Sequence, residues 1–232
     1  MNMILQKSKK LSISEIKSSD TYTKEIRDLL VDYLQIENEY RFALRELSAK
    51  LENLDDFCQY NFDHNPIHHI ESRIKDPDSI IEKMTRRGHN YNLKNLKKHI
   101  YDIAGIRVIC KYINDIYQII DLLEKQKDLQ VMLRKDYISN PKSTGYRSFH
   151  IVFTIEVYVN NQTKVVPVEI QFRTLAMDMW ASLEHELRYK SNNELTDEQK
   201  FSLYNNSKDL YNIDLNMQKL YIETTVGKHY ED

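Results

Sequence analysis

Two stretches of the sequence alternate between apolar and polar positions, as half-buried β-strands do. They run from Arg147 to Val159 and from Val165 to Arg173, and Asn160-Asn161 between them favours a hairpin turn. A hairpin would place two polar rows side by side: Ser148, His150 and Thr154 on one strand, and Glu169, Gln171 and Arg173 on the other. A carboxylate, an amide and a guanidinium in one row are typical of a site, although an ordinary hairpin with one solvated face alternates in the same way.

Apolar residues recur at intervals of three and four towards both ends of the chain, which indicates packing helices. One long helix, or two, is predicted from Tyr22 to about Phe57, after a polar stretch to about Ser19 that is expected to be loose. Further helices are predicted from Leu175 to Lys190 and from Thr196 to about Thr225. The expected core stripe of the first of these is Leu175, Met179, Leu183 and Leu187.

Shorter elements alternate in the middle of the chain. Strands are predicted from Ile70 to Lys75, Ile106 to Cys110 and Leu129 to Leu133, after a loop from Asp63 to His69. The intervening helices are predicted from Asp76 to Arg87, Asn92 to Ile100 and Asn114 to Lys127. The order predicts an α+β fold, with a mixed β-sheet flanked by helices and long terminal helices. The predicted domains are a helical arm (1–62), a core (63–191) and a second helical arm (192–232).

Composition narrows the choice of partners. The 232 residues have a formal net charge of −2, so no global basic field attracts double-stranded nucleic acid. The two cysteines form no CxxC pair, and His64, His68 and His69 lack a fitting set of further zinc ligands. No signal-peptide or membrane-length apolar run occurs, so a cytoplasmic protein without membrane contact is expected.

Any phosphate site must be built from side chains, because neither GxGxxG nor a P-loop is present. The helix from Asp76 to Arg87 carries Ser79, Lys83 and Arg86 on one stripe, beside Arg73 and Lys75 of the preceding strand. This pattern fits a polyphosphate clamp, and it equally fits an ordinary solvated basic face. The loop before the hairpin adds Lys135, Lys142 and Arg147, with Tyr146 as a ring on which a base could stack.

Three runs, taken together and in order, resemble the synthetase domain of the RelA/SpoT family, which makes the alarmones ppGpp and pppGpp. They are Asp102 to Arg107, Lys135 to His150 with its Gly145-Tyr146-Arg147 centre, and Val168 to Thr174. Trp180 with Glu184-His185 adds to the resemblance, which covers roughly residues 67–190. The short chain resembles the stand-alone small alarmone synthetases, which are typically cytosolic homotetramers with a nucleotidyltransferase-like sheet.

The resemblance implies a chemistry and a set of site residues. The family moves the β,γ-pyrophosphoryl group of ATP to the 3′-hydroxyl of GTP or GDP. Asp102 and Glu169 match its acidic pair: Asp102 would ligate Mg²⁺, and Glu169 would share the ion or take the hydroxyl proton. The residues matching the ATP site are Arg73, Lys75, Ser79, Lys83, Arg86, Arg107 and Lys135, with Arg73 and Arg107 sandwiching the adenine. Those matching the GTP or GDP site are Lys142, Tyr146, His150 and Gln171.

Two departures and two rival functions remain open. Leu133 stands where the long members have arginine, which leaves the choice between GTP and GDP open, and Asp178 stands where related stand-alone members have asparagine. One rival is a pyrophosphokinase that acts on an adenine nucleotide or on a tRNA 3′ end. The other is a nucleotide- or RNA-binding regulator whose catalysis is vestigial.

Overall fold

The computed structural model describes residues 13–18, 20–190 and 195–226. The helices are α1 (Ile13–Ser18), α2 (Lys24–Asn61), α3 (Pro77–Arg86), α4 (Leu93–His99), α5 (Ile113–Glu124), α6 (Leu175–Lys190) and α7 (Asp197–Val226). The strands are β1 (Ile67–Ile74), β2 (Ala104–Cys110), β3 (Gln130–Asp136), β4 (Phe149–Val159) and β5 (Gln162–Thr174).

A mixed five-stranded sheet flanked by helices confirms the predicted fold class, and its strands lie in the order β1-β2-β5-β4-β3. The predicted hairpin is formed by β4 and β5. Asn160 and Asn161 adopt positive φ angles of 50° and 59°, as a two-residue hairpin turn requires. Along β5 the even positions from Val166 to Phe172 are buried and the odd positions from Val165 to Gln171 are not, as the alternation predicted.

The described residues fall into two compact units, one within 1–50, 72–106 and 152–169 and the other within 51–71, 107–151 and 170–232. In the first unit, Ile16, Leu30 and Val31 are buried together, with Ile81 of α3 packed against them. The expectation that the chain is loose up to about Ser19 is therefore wrong for Ile13–Ser18. Ile16 at its centre is an apolar residue that α2 can bury.

In the second unit, α7 packs against α6 and α5. Trp180 is buried on α6, and its indole Nε1 donates to the carbonyl oxygen of Leu203 at 2.9 Å. The start of α7 is fixed as predicted by Thr196, whose hydroxyl accepts from the backbone N–H of Gln199.

Several element boundaries differ from prediction. β1 begins at Ile67, so His68 and His69 lie on a strand and not in a loop. Helix α5 is capped by Tyr112, and Asp115 acts from the third helical position, where it accepts from the Tyr112 backbone N–H. β3 continues to Asp136 because sheet pairing extends the strand beyond its apolar residues.

The predicted ends of α6 are confirmed, but its predicted core stripe is wrong. Leu175, Met179, Leu183 and Leu187 are each about half exposed, while Met177, Trp180 and Ala181 are the buried positions. The face of the helix that carries Trp180 packs within the chain, and the row of Leu175, Met179, Leu183 and Leu187 (the leucine row) lies on the surface.

The division into an N-terminal arm, a core and a C-terminal arm stays a prediction, and its boundary at residues 191 and 192 lies outside the described residues. Of the helices in the described ranges, none combines the length and the apolar character needed to cross a bilayer.

Candidate active site

A carboxylate between two ammonium groups is the centre of the first unit's polar cluster. The Oδ2 atom of Asp102 accepts from Lys75 Nζ at 2.8 Å and from Lys83 Nζ at 2.7 Å. The three side chains keep only 15% to 19% of their surface exposed. Ion pairs so far removed from water are stronger than those on the surface, and they are weakly screened by salt.

Local structure fixes these three groups. Lys75 directly follows β1, and its backbone N–H donates to the Ile103 carbonyl at 2.8 Å, which ties it to the turn that carries Asp102. The buried phenol of Tyr33 donates to the Lys75 carbonyl at 3.2 Å. Lys83 comes from α3, whose Ile80 and Met84 are buried and whose end is set by Gly88 with a φ of 67°.

The electrostatics favour a charged Asp102. Burial alone would raise the pKa of its carboxyl, but the ammonium groups of Lys75 and Lys83 outweigh burial and lower the pKa to about 2. Burial lowers the pKa of Lys83 by more than Asp102 raises it. The carboxylate is therefore ionised at neutral pH, and at least one of its partners is easier to deprotonate than an exposed lysine.

The second oxygen of Asp102 fits a cation. Oδ1 is buried and has no hydrogen-bond partner among the described residues. An orphaned buried carboxylate oxygen is costly for a fold to keep, and such atoms concentrate at functional sites. Carboxylate oxygen is the donor that Mg²⁺ prefers. Glu169, the other predicted metal ligand, is half-buried on β5. In the described ranges, no group of three or more His, Cys, Asp or Glu side chains suited to a metal occurs.

The remaining members of the predicted basic clamp lie on two elements of the same unit. Ser79 and Arg86 are on α3, with Ser79 half-buried in its first turn and Arg86 exposed in its last. Arg73 is exposed on β1, two residues before Lys75. The structure thus brings Lys75, Lys83 and Asp102 into contact. It places Arg73 on the strand that ends just before Lys75, and Ser79 and Arg86 on the helix that carries Lys83.

An aromatic cluster in the second unit contains three of the four residues matched to the guanine nucleotide. The Tyr146 hydroxyl lies 2.8 Å from His150 Nε2, and the Lys142 ammonium lies 4.5 Å from the centre of the Tyr146 ring. The same ammonium lies 4.7 Å from the Tyr137 ring. A cation held over aromatic rings beside an imidazole can bind a flat, electron-rich base together with its phosphates.

Arg173 connects this cluster to the fourth residue. Its side chain is only 7% exposed. It donates to Tyr146 Oη, to Gln171 Oε1 and to Asp178 Oδ1, each at 2.9 Å. The strand pattern places this guanidinium on the polar face of β5 but does not predict its partners, because it shows which face a residue occupies and not which neighbours it contacts.

Arg107 and Lys135 are the remaining predicted residues of the ATP site, and both lie in the second unit. Arg107 Nη1 lies 3.2 Å from Glu71 Oε2 and 3.3 Å from Asp178 Oδ1. Asp178, whose role the sequence left open, therefore receives two guanidinium groups, from Arg107 and Arg173. Lys135 is exposed near the end of β3.

Comparison with known proteins identifies the family. Residues 72–194 match a region found in RelA/SpoT proteins, which is more than half of the chain. The chain belongs to the RelA/SpoT family.

Its relatives include short, stand-alone members. It is 41% identical over 186 residues to GTP pyrophosphokinase YwaC of Bacillus subtilis, which covers 78% of this chain and 89% of that protein. It is 36% identical over 181 residues to GTP pyrophosphokinase YjbM of the same organism, which covers 78% and 84%.

Solved structures of small alarmone synthetases are similar to this chain. The small alarmone synthetase 1 of Bacillus subtilis bound to its product pppGpp matches with a TM-score of 0.78 and 34% identity, covering 84% of this chain and 98% of that one. The small alarmone synthetase 2 of the same organism matches with a TM-score of 0.75 and 39% identity, covering 83% and 99%. The resemblance drawn from three short runs is confirmed.

Proposed function

We propose that this protein is a GTP pyrophosphokinase, which transfers the β,γ-pyrophosphoryl group of ATP to the 3′-hydroxyl of GTP or GDP to make pppGpp or ppGpp. The observation that carries the proposal is the Asp102 cluster, in which one carboxylate oxygen binds two ammonium groups and the other is buried without a partner. It lies in a chain that is 41% identical to GTP pyrophosphokinase YwaC.

The reaction needs a proton acceptor and a cationic cradle. The 3′ oxygen of the acceptor forms a bond to the β-phosphorus of ATP, the bond from that phosphorus to the bridging oxygen of the α-phosphate breaks, and AMP leaves. Glu169 accepts the hydroxyl proton. Lys75 and Lys83, with Ser79 and Arg86 on the same helix as Lys83, bind the phosphates. The pairing of both lysines with Asp102 holds their ammonium groups in place before the nucleotide arrives.

Mg²⁺ is the cofactor that suits these donors, and Asp102 and Glu169 are the residues that would hold it. A bound magnesium ion would neutralise the negative charge that develops on the transferred group.

The two nucleotides have separate sets of ligands. For ATP, the family resemblance assigns Arg73, Arg107 and Lys135, the first two as stacking partners of the adenine. For GTP or GDP, the guanine stacks on Tyr146, while Lys142, His150 and Gln171 bind the rest of the nucleotide. We expect the enzyme to act as a cytoplasmic homotetramer, as the stand-alone members typically do. The half-exposed leucine row of α6 offers an apolar surface for such an assembly.

The test is a transfer assay with γ-labelled ATP and, separately, GTP, GDP, ATP and tRNA as acceptors. The label is expected to move to the guanine nucleotides, with one AMP released per transfer, and EDTA is expected to abolish the reaction. Label found only on ATP or tRNA would overturn the guanine assignment. If both nucleotides bind in the presence of Mg²⁺ but no transfer occurs, the vestigial regulator is the correct alternative.

A further inference from the structure

The C-terminal helix α7 contacts the guanine-nucleotide cluster through one face. Ser207, Tyr211 and Asp214 are spaced by four and three residues, which places them in a single row along the helix. Ser207 and Asp214 are the buried polar residues of α7. Each residue of the row contacts a different point between Gly145 and Thr174.

Ser207 makes the first contact. Its hydroxyl donates to the carbonyl oxygen of Gly145 at 2.5 Å. Gly145 has a φ of 93°, and a Cβ atom built there would lie 2.9 Å from Ser207 Cβ and 3.3 Å from Tyr204 Cα. The turn between Lys142 and Tyr146 therefore packs directly against the helix, at a residue that has to be glycine both for its conformation and for its lack of a side chain.

Tyr211 makes the second contact. The guanidinium of Arg147 lies 3.9 Å from the centre of the Tyr211 ring. Arg147 also donates to the carbonyl oxygen of Ile138 at 2.5 Å. The arginine thereby joins the two ends of the loop that carries Lys142 and Tyr146, and the helix supplies the ring on which it rests.

Asp214 makes the third contact. Its carboxylate accepts from the Thr174 hydroxyl at 2.6 Å, and that hydroxyl accepts from the backbone N–H of Met177 at 3.2 Å. Thr174 directly follows Arg173, whose guanidinium binds both Tyr146 and Gln171. The helix thus fixes the end of β5 from which this guanidinium projects.

We propose that α7 is a positioning element for the acceptor nucleotide, and that Ser207 and Tyr211 hold residues 139–147 in the conformation that binds guanine. The inference rests on the proposed function of this loop. Neither residue touches the nucleotide. They act through Gly145 and Arg147, which flank the stacking ring of Tyr146. Ordinary packing of α7 would require apolar contact alone, whereas two of these three contacts are hydrogen bonds and the third holds a guanidinium that spans the loop.

The experiment compares Ser207→Ala with Ser202→Ala, which removes an exposed hydroxyl from the same helix. The loss of one buried hydrogen bond is expected to raise the KM for GTP and its dissociation constant about fivefold. The turnover number and the KM for ATP should stay within about twofold of the wild type, because the donor residues of the first unit are not in this contact. Ser202→Ala should match the wild type throughout.

Hydrogen–deuterium exchange without nucleotide supplies a readout that does not depend on activity. Amides of residues 139–147 are expected to exchange faster in Ser207→Ala than in Ser202→Ala, while those of β2 stay protected. If Ser207→Ala does not fold, Tyr211→Leu takes its place, and amides of residues 139–147 are expected to exchange faster in that variant than in the wild type.

The outcomes separate the two proposals. If the folded Ser207→Ala or Tyr211→Leu protein shows wild-type exchange in residues 139–147, or raises the KM for ATP as much as that for GTP, the positioning role is wrong. If the wild type binds no guanine nucleotide, the proposed function fails, and exchange in the two variants still decides whether α7 holds the loop.

Discussion

At the scale of single residues, Asp102 is the group whose environment is least ordinary. One of its oxygens serves two ammonium groups, and the other is buried without a hydrogen bond among the described residues. A carboxylate placed only for stability would have both oxygens satisfied. Here one oxygen has no hydrogen-bond partner among the described residues, and the two lysines keep the carboxylate ionised.

Replacement of Asp102 by asparagine is expected to lower the free energy of unfolding by about 2 kcal/mol at pH 7, since the folded pKa of about 2 lies below the ordinary value of 3.8. This contribution is fully present above the unfolded pKa and is lost as the pH falls towards 2. The difference between the wild type and the variant should therefore shrink by about half at pH 3. Urea unfolding of the wild type and Asp102→Asn between pH 3 and pH 7 measures this difference in the free energy of unfolding.

Asp121→Asn is the control for that series, because it removes a carboxylate paired with Lys125 at the surface, where both side chains are more than 60% exposed. Its effect should stay below about 0.5 kcal/mol at every pH. Equal losses in the two variants would show that the Asp102 ion pairs are no stronger than exposed ones.

Glu169→Gln is expected to lower turnover by about 10² to 10⁴, the range over which a positioned proton acceptor acts, with little change in ATP binding. Glu156→Gln replaces an exposed carboxylate on the neighbouring strand and should leave turnover unchanged. Single-turnover rates and calorimetric ATP binding provide the two measurements. Wild-type turnover in Glu169→Gln would remove Glu169 from the mechanism.

Residue identity and local pattern were enough to place Asp102 in the turn before β2, and to place Glu169, Gln171 and Arg173 on one face of β5. They were not enough to assign the bonds that Arg173 makes to Tyr146 and Asp178, because these join positions up to 27 residues apart. A sequence pattern predicts which face of a helix or strand a residue occupies, whereas such a contact depends on how the elements pack against one another.

At the scale of elements, the sequence predicted where α7 begins and how far it runs, but it did not predict which polar residues of α7 are buried. Thr196 predicted where it starts, and its apolar spacing predicted where it runs. Nothing in the sequence separates Ser207 and Asp214 from the polar residues on the solvated face, such as Ser202 and Asp209. Their burial is decided by Gly145 and Thr174, which reach the helix from other elements.

Asp214→Asn tests that burial. Burial raises the pKa of Asp214 to about 6, although the hydrogen bond from Thr174 lowers it. Because the folded pKa lies above the unfolded value, the stabilising contribution is fully present below about pH 4 and is lost as the pH rises through 6. The wild type should therefore lose about 1 to 3 kcal/mol of stability relative to Asp214→Asn between pH 4.5 and pH 8.

Arg147 lines the same small cavity as Asp214. Asp209→Asn, at an exposed position of α7, supplies the control and should show no such pH dependence. Urea unfolding at each pH gives the comparison. A constant difference between the wild type and Asp214→Asn across the range would show that the carboxyl titrates normally.

At the scale of the whole molecule, the leucine row of α6 is the feature that the sequence predicted as core and the structure leaves uncovered. Leu175, Met179, Leu183 and Leu187 are 47% to 52% exposed. Periodicity shows that a helix has an apolar face, but it does not show whether the same chain or another one covers it. In this helix Trp180 and Met177 are buried within the chain, and the row stays exposed in the part of the chain that the structure describes.

Leu183→Arg is therefore expected to reduce the assembly state. A charged side chain in the middle of an apolar interface would be desolvated without a partner, which weakens association. Size-exclusion chromatography with light scattering should show a mass several times 27.8 kDa for the wild type and a smaller mass for the variant. Tyr158→Arg, which places the same charge at a 70% exposed residue of β4, should keep the wild-type mass. A monomeric wild type, or an unchanged mass for folded Leu183→Arg, would mean that the α6 row is not where copies of this chain meet.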